Sequence, residues 1–180
     1  MAIFSQFVTV ITNCYRWRPD GGEIYANQFL SGASGTTFYT SAARFTSVSI
    51  IKNTIINSAT LSFEPVGVSG APVLIVKGND IDTSPSLVDL ADANARVRTA
   101  ASAAATSWSA GVMKDIDVKT IVEEITTRAG WATGGDMMFF LEDNGSSYSD
   151  ISRTSNVSTT NSVKLVIDYG VTRANNIMIF

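Results

Sequence analysis

The residues of this chain that could do chemistry are one thiol, a few clustered carboxylates and a group of aromatics near the start, and no histidine accompanies any of them. That absence removes Ser-His-Asp and Cys-His nucleophile activation, His-ligated zinc and imidazole proton shuttling. Cys14 has only Arg16 and Arg18 near it in sequence and no base, so it is read as a buried small side chain. Glu123 and Glu124 raise the chemistry of glycoside cleavage, in which two carboxylates flank one bond. Adjacent residues on a helix diverge by about 100°, so this pair is expected on solvated helix surface instead.

Two oxygen-rich stretches could bind Ca²⁺: Asn79, Asp80 and Asp82, and Glu142, Asp143 and Asn144. Neither has a ligand spacing as definite as that of an EF-hand, so Asx-type turns are expected and no cofactor or metal residue is assigned. Tyr15, Trp17 and Tyr25 are candidate glycan contacts, because aromatic rings stack on sugars and nearby Asn and Arg could bond hydroxyls. Trp108 and Trp131 end apolar segments and are assigned to the core. Phe4 and Phe7 at the start, and Ile177, Met178, Ile179 and Phe180 at the finish, are candidate subunit contacts: apolar side chains stand where solvated tails are usual.

The elements that must position these residues are mostly strands. In the segment from Ile55 to Phe63, the set Ile55, Ala59, Leu61 and Phe63 is expected to face one way and Ser58, Thr60 and Ser62 the other. From Val163 to Tyr169 the odd positions form an apolar side, with Lys164 and Asp168 opposite. Phe45 to Ile51, Val73 to Lys77 and Met137 to Leu141 are further strand candidates, and Asn144-Gly145 signals a turn after the last. One helix is expected at 118–129, capped by Asp117, striped with Val118, Ile121, Val122, Ile125 and Ala129, stopped at Gly130, and lying as a lid on one end of a sandwich. The alanine-rich stretch from Leu87 to Ala110 lacks a sustained 3.6 period and is read as irregular to about Thr99, then as a strand into Trp108. Ser146 to Ser162, rich in Ser, Thr and Asn, is read as a long loop.

Length and charge bound the rest. The 180 residues, 45% apolar and 16% charged, suit a single β-sandwich domain over 1–180 with apolar N-terminal (1–10) and C-terminal (170–180) extensions. A net charge of −3 without a basic run argues against duplex nucleic acid. The longest apolar run, Met137 to Leu141, is far short of the ~20 residues of a spanning helix, so no membrane insertion is expected. The start lacks the cationic segment of a secretory signal, and folding in a reducing cytosol is expected.

Several segments together carry a likeness: Ala43 to Ile50, Ile55 to Phe63, Val73 to Gly78 followed by Asn79-Asp-Ile-Asp82, Ser107-Trp-Ser109, the helix with Arg128-Ala-Gly-Trp131, Gly135 to Leu141, and Lys164 to Tyr169. From about Val8 to Tyr169 the chain resembles the DNRLRE-like, carbohydrate-binding-module-like β-sandwich domains of secreted bacterial proteins and of some phage virion proteins. The resemblance implies an all-β, antiparallel jelly-roll-like sandwich used for binding or building, and brings no catalytic residue with it.

The expectation is therefore a non-enzymatic structural protein of a bacteriophage virion, assembled in the host cytoplasm. Within that class a capsid decoration or cement role is preferred to a neck or tail position. Expected partners are other virion proteins, foremost the major capsid protein, and further copies of the chain. The alternative is a carbohydrate-binding or adhesion module that recognises a cell-surface glycan.

Overall fold

Period-two alternation makes the segment from Lys164 to Tyr169 a strand with one buried face. The structure, a computed structural model, describes residues 1–9, 11–18, 21, 28–34, 37–146, 151–155 and 162–170. Strand β12 (Lys164–Tyr169) follows buried Val163 and buries Leu165 and Ile167 as its pattern dictates. It lies between β1 (Ala2–Phe7) and β5 (Ile56–Phe63), and β9 (Lys114–Asp117) completes this smaller sheet beyond β5. The larger sheet runs β6 (Pro65–Ser69), β11 (Ile151–Ser155), β3 (Gln28–Ser34), β4 (Thr37–Val48), β10 (Gly135–Asp143), β7 (Leu74–Asn79), β8 (Arg98–Ala105). A short strand, β2 (Cys14–Trp17), also pairs with β4. Every pairing is antiparallel, and the inner faces of both sheets share one core. The molecule is an all-β antiparallel sandwich with short helices.

Edge-to-face aromatics knit that core across the sheets. Phe63 of β5 meets Phe29 of β3 and Trp108, both at 6.2 Å, while Phe45 and Phe139 meet at 5.9 Å. Trp108 and Trp131 are buried as expected, and the indole of Trp131 donates to the Ile50 carbonyl at 3.0 Å.

The helix α2 (Lys119–Thr127) begins one residue later than expected and ends before exposed Ala129. Val118 occupies the cap position without a side-chain bond to the helix, while the Asp117 carboxylate accepts the Lys119 N–H at 2.9 Å. Ile121, Val122 and Ile125 are buried, and the helix touches β5 of one sheet and β7 and β8 of the other, closing that end of the sandwich. It seats there because Gly78 has no side chain: a Cβ would come within 2.7 Å of Ile121 Cγ2 and 2.9 Å of Ile125 Cδ1.

Four sequence expectations change. Ile55 is 71% exposed and Ile56 is buried, because a bulge opposite Asp168 and Tyr169 leaves Asn57 and Ser58 both outward and shifts the phase before Ala59. The stretch read as irregular contains α1 (Leu90–Ala95), and the following strand starts at Arg98. The loop expected over Ser146 to Ser162 contains β11, which pairs β3 and β6, so Asn144-Gly145 does not turn β10 into a hairpin. The N-terminal extension is itself the strand β1, paired along its length with β12.

Truncation separates the two isoleucines. Ile56→Ala should cost about 2–4 kcal/mol in a urea titration, whereas Ile55→Ala should stay within about 0.5 kcal/mol of the parent.

Candidate functional site

The outer face of a sandwich sheet is where an aromatic platform could meet a ligand, and on the larger sheet this face is roofed at β2, β4 and β10. Along β2, Cys14 points into the main core while Tyr15 and Trp17 point outward. Ala42 of β4 and Met138 and Phe140 of β10 lie beside them, so β10 is buried on both faces, which accounts for its unbroken apolar run. Leu87 and Ala93, with Leu90 against them, come down from the β7–β8 connection and complete this second core. Trp17 meets Phe140 edge-on at 6.0 Å and donates its indole N–H to Asn94 Oδ1 at 3.1 Å. The Tyr15 hydroxyl donates to the Thr12 carbonyl at 2.5 Å and accepts the Leu87 N–H at 3.3 Å. Tyr15 is fully buried and Trp17 is 2% exposed, so neither presents a ring to a sugar. Tyr25 lies outside the described residues.

Four arginines hold the roof down. Arg128, just past α2, donates from Nε to Asp82 Oδ1 at 2.9 Å and from Nη1 to Asp80 Oδ1. The two carboxylates of the first candidate calcium stretch therefore converge on a guanidinium of the same chain. Gly130 is required beside them, since a Cβ there would run into the Asp82 carboxylate. Arg44 of β4 donates to the Ser84 carbonyl at 2.7 Å, to Asn13 Oδ1 at 2.9 Å and to Asp136 Oδ2 at 2.6 Å. Arg98 lies 3.5 Å over the Phe140 ring and donates to Glu142 Oε1 at 2.8 Å. Arg96 forks onto Asp92 at 2.7 and 2.8 Å, four residues earlier on α1.

The remaining carboxylates also have structural work. Glu124 is not simply solvated: its two oxygens accept the Ala100 and Ala101 N–H groups of edge strand β8 at 2.8 and 2.7 Å. Glu123 lies 3.8 Å from Lys119 on the helix surface. Asp143 accepts the Gly145 and Ser146 N–H groups, an Asx-type turn, and the Asn144 N–H donates to the Val73 carbonyl. Among the described residues, no group of three His, Cys, Asp or Glu side chains is placed to hold a metal ion. Cys14 is buried, as its composition context suggested.

Arg128 and Asp92 titrate away from their ordinary values. Burial would push the Arg128 guanidinium down, but its bonds to Asp82 and Asp80 outweigh this and hold it higher. Asp92 is held below the usual carboxylate range: the bond from Arg96 lowers it most, burial opposes, and the Val88 N–H and the Arg96 charge assist.

Phe4 and Phe7, expected at a subunit contact, first serve their own domain. Phe4 packs on the core, and the Lys164 ammonium lies 5.0 Å over the Phe7 ring. Ile177, Met178, Ile179 and Phe180 lie outside the described residues.

Comparison with protein-family models and with curated proteins finds no significant match to this chain. The arginine set therefore has to be understood from its own geometry. One local signal for part of it stood in the sequence: Asp89, Asp92 and Arg96 carry the spacing of a capped helix with an i,i+4 ion pair. Asp89 accepts the Asp92 N–H at 2.8 Å, and Asp92 accepts the Val88 N–H at 3.0 Å. The pairings of Arg44 and Arg98 span more than forty residues to their acids and had no local signal.

Arg128→Ala should lower unfolding stability by about 1–2 kcal/mol, since it leaves two carboxylates facing each other. Gly130→Ala should lose a similar amount without removing a charge. Acid should act on the roof first. Because Asp92 is depressed in the folded state, its contribution is present above the unfolded carboxylate range near pH 4 and is lost as pH falls through the lower folded value. The protection factors of the α1 amides, which correct for the intrinsic slowing of exchange in acid, should fall below about pH 4 in the parent, and Asp92→Asn should show the lower protection already at pH 7.

Proposed function

We propose that the chain is a non-enzymatic structural protein of a bacteriophage virion, in the first place a capsid decoration or cement protein, with a neck or tail position as the other placement within that class. The observation that carries the reading is the second core that covers the outer face of the larger sheet at β2, β4 and β10. Tyr15 and Trp17 are core residues, and Asp80, Asp82, Glu124, Glu142 and Asp143 are bonded to arginines or to backbone N–H groups. A chain built this way has its surface left for contact with other macromolecules. The likeness of its segments to sandwich domains found in some virion proteins supports the same reading, as do the exposed Ser and Thr side chains and the apolar residues at both ends.

Virion association has a direct measurement. In cells that make the protein, it should co-sediment with particles through a density gradient at a fixed copy number per particle, and recovery only at the top of the gradient would overturn the proposal. Removal of Ile177 to Phe180 should release the protein from particles while leaving its thermal midpoint unchanged. Full retention of the shortened chain would exclude the C-terminal segment as the attachment. A glycan-binding module predicts instead binding to a cell-surface glycan array by the isolated chain.

A further inference from the structure

Each sheet of an open sandwich ends in strands whose outer N–H and C=O groups can pair with another chain, and such edges are normally defended. Three of the four terminal strands here carry a defence. β9 is four residues long and bears Lys114, Asp115 and Asp117. β8 has its Ala100 and Ala101 N–H groups taken by Glu124. β6 begins with Pro65 and contains Gly67. The fourth, β1, has the sequence Ala-Ile-Phe-Ser-Gln-Phe: six residues without charge, proline or glycine, in unbroken register with β12. Among the described residues nothing pairs its outer edge.

Apolar side chains are exposed along this edge, on a face whose next strand carries Asp168 opposite Ile3 and Lys164 opposite Phe7. Ile3 is 67% exposed and Met1 86% exposed. The Gly170 N–H donates to the Ile55 carbonyl, and the register that sets Ala2 opposite Tyr169 continues to bring Met1 beside Gly170, so 71%-exposed Ile55 lies at the same corner. On the inner side, half-buried Phe4 sits at the lip of the core.

We infer that β1 is a self-association surface, pairing antiparallel with β1 of a second copy about a twofold axis at Phe4. The occupant follows from the strand itself. Its six side chains are uncharged, so two copies of β1 set no like-charged side chains against each other, and an antiparallel pair of identical strands is self-complementary. The register follows from the pleat. Opposed residues must share a face, and the register centred on Phe4 sets Phe4 against Phe4, Ile3 against Ser5 and Met1 against Phe7, using every residue from 1 to 7. The two smaller sheets then join into one continuous sheet, and the exposed apolar side chains of β1 are covered. The pairing stands on β1 alone and does not depend on the virion reading. An edge of this length buries less than a standard interface, so the dimer forms in the micromolar range, below about 100 µM, and copies held close on a surface would favour it.

Sedimentation of the full chain at up to about 100 µM should show a species of twice the 19.2 kDa chain mass. Ile3 and Ser5 face solvent, so charges placed there leave the fold intact, as an unchanged thermal midpoint would verify. Ile3→Lys with Ser5→Lys puts two like-charge pairs across the axis and should weaken association about tenfold or more. Ile3→Lys with Ser5→Glu sets Lys opposite Glu and should restore it to near the parental value. A parental chain that stays monomeric overturns the inference. Association that survives the double lysine variant does so too, and failure of the Lys/Glu variant to recover overturns the Phe4-centred register.

Discussion

Guanidinium bonding to one connection is the interaction on which the rest of this structure depends. Between Asn79 and Arg98 the chain leaves the sheet, forms only six residues of helix, and returns. A segment with so little regular structure leaves carbonyls and carboxylates to be satisfied by something else. Arg44, Arg96, Arg98 and Arg128 supply planar arrays of donors from β4, from the connection itself, from β8 and from the end of α2. With the connection held, Leu87, Leu90 and Ala93 cover the aromatics of β2 and β10, and the outer face becomes a second core. Without it, Tyr15, Trp17 and Phe140 would form an exposed apolar patch of the kind that either binds or aggregates.

The arginines also explain why the motif with the most specific spacing is not a chemical one. In Arg128-Ala-Gly-Trp131 the arginine reaches the acids after β7, the glycine makes room for one of them, and the tryptophan fills the core and bonds the Ile50 carbonyl. Each position is fixed by packing or by an ion pair. Such a site resembles a cation site in sequence because a guanidinium and a metal ion ask for the same oxygens.

What was legible in the sequence followed one rule: an element could be read when one of its faces was wet and the other dry. β12 and most of β5 show clean alternation, and α2 shows its stripe. β10 was legible as an apolar run because both its faces are dry. β2 was hidden, since Cys-Tyr-Arg-Trp mixes types while three of its four side chains are buried. The phase at Ile55 was misread because a bulge is a property of the pair of strands and leaves no mark in one of them. β11 and α1 were too short to stand out from polar or alanine-rich surroundings. The contacts of Arg44, Arg98 and Arg128 join distant parts of the chain, and a local pattern contains no information about such partners.

The pairing of β1 with β12 has a consequence in time. The first strand of the chain finds its partner in the last strand described, more than 150 residues later. At ordinary rates of synthesis this partner arrives on the order of ten seconds after β1 has been made. Until then the smaller sheet lacks its central pairing, β5 has only β9 beside it, and the core has no wall on that side. The smaller sheet is therefore closed only once β12 has been made, by closure of a long loop, and the fold belongs with the slow-folding sandwiches in which non-local pairing sets the rate.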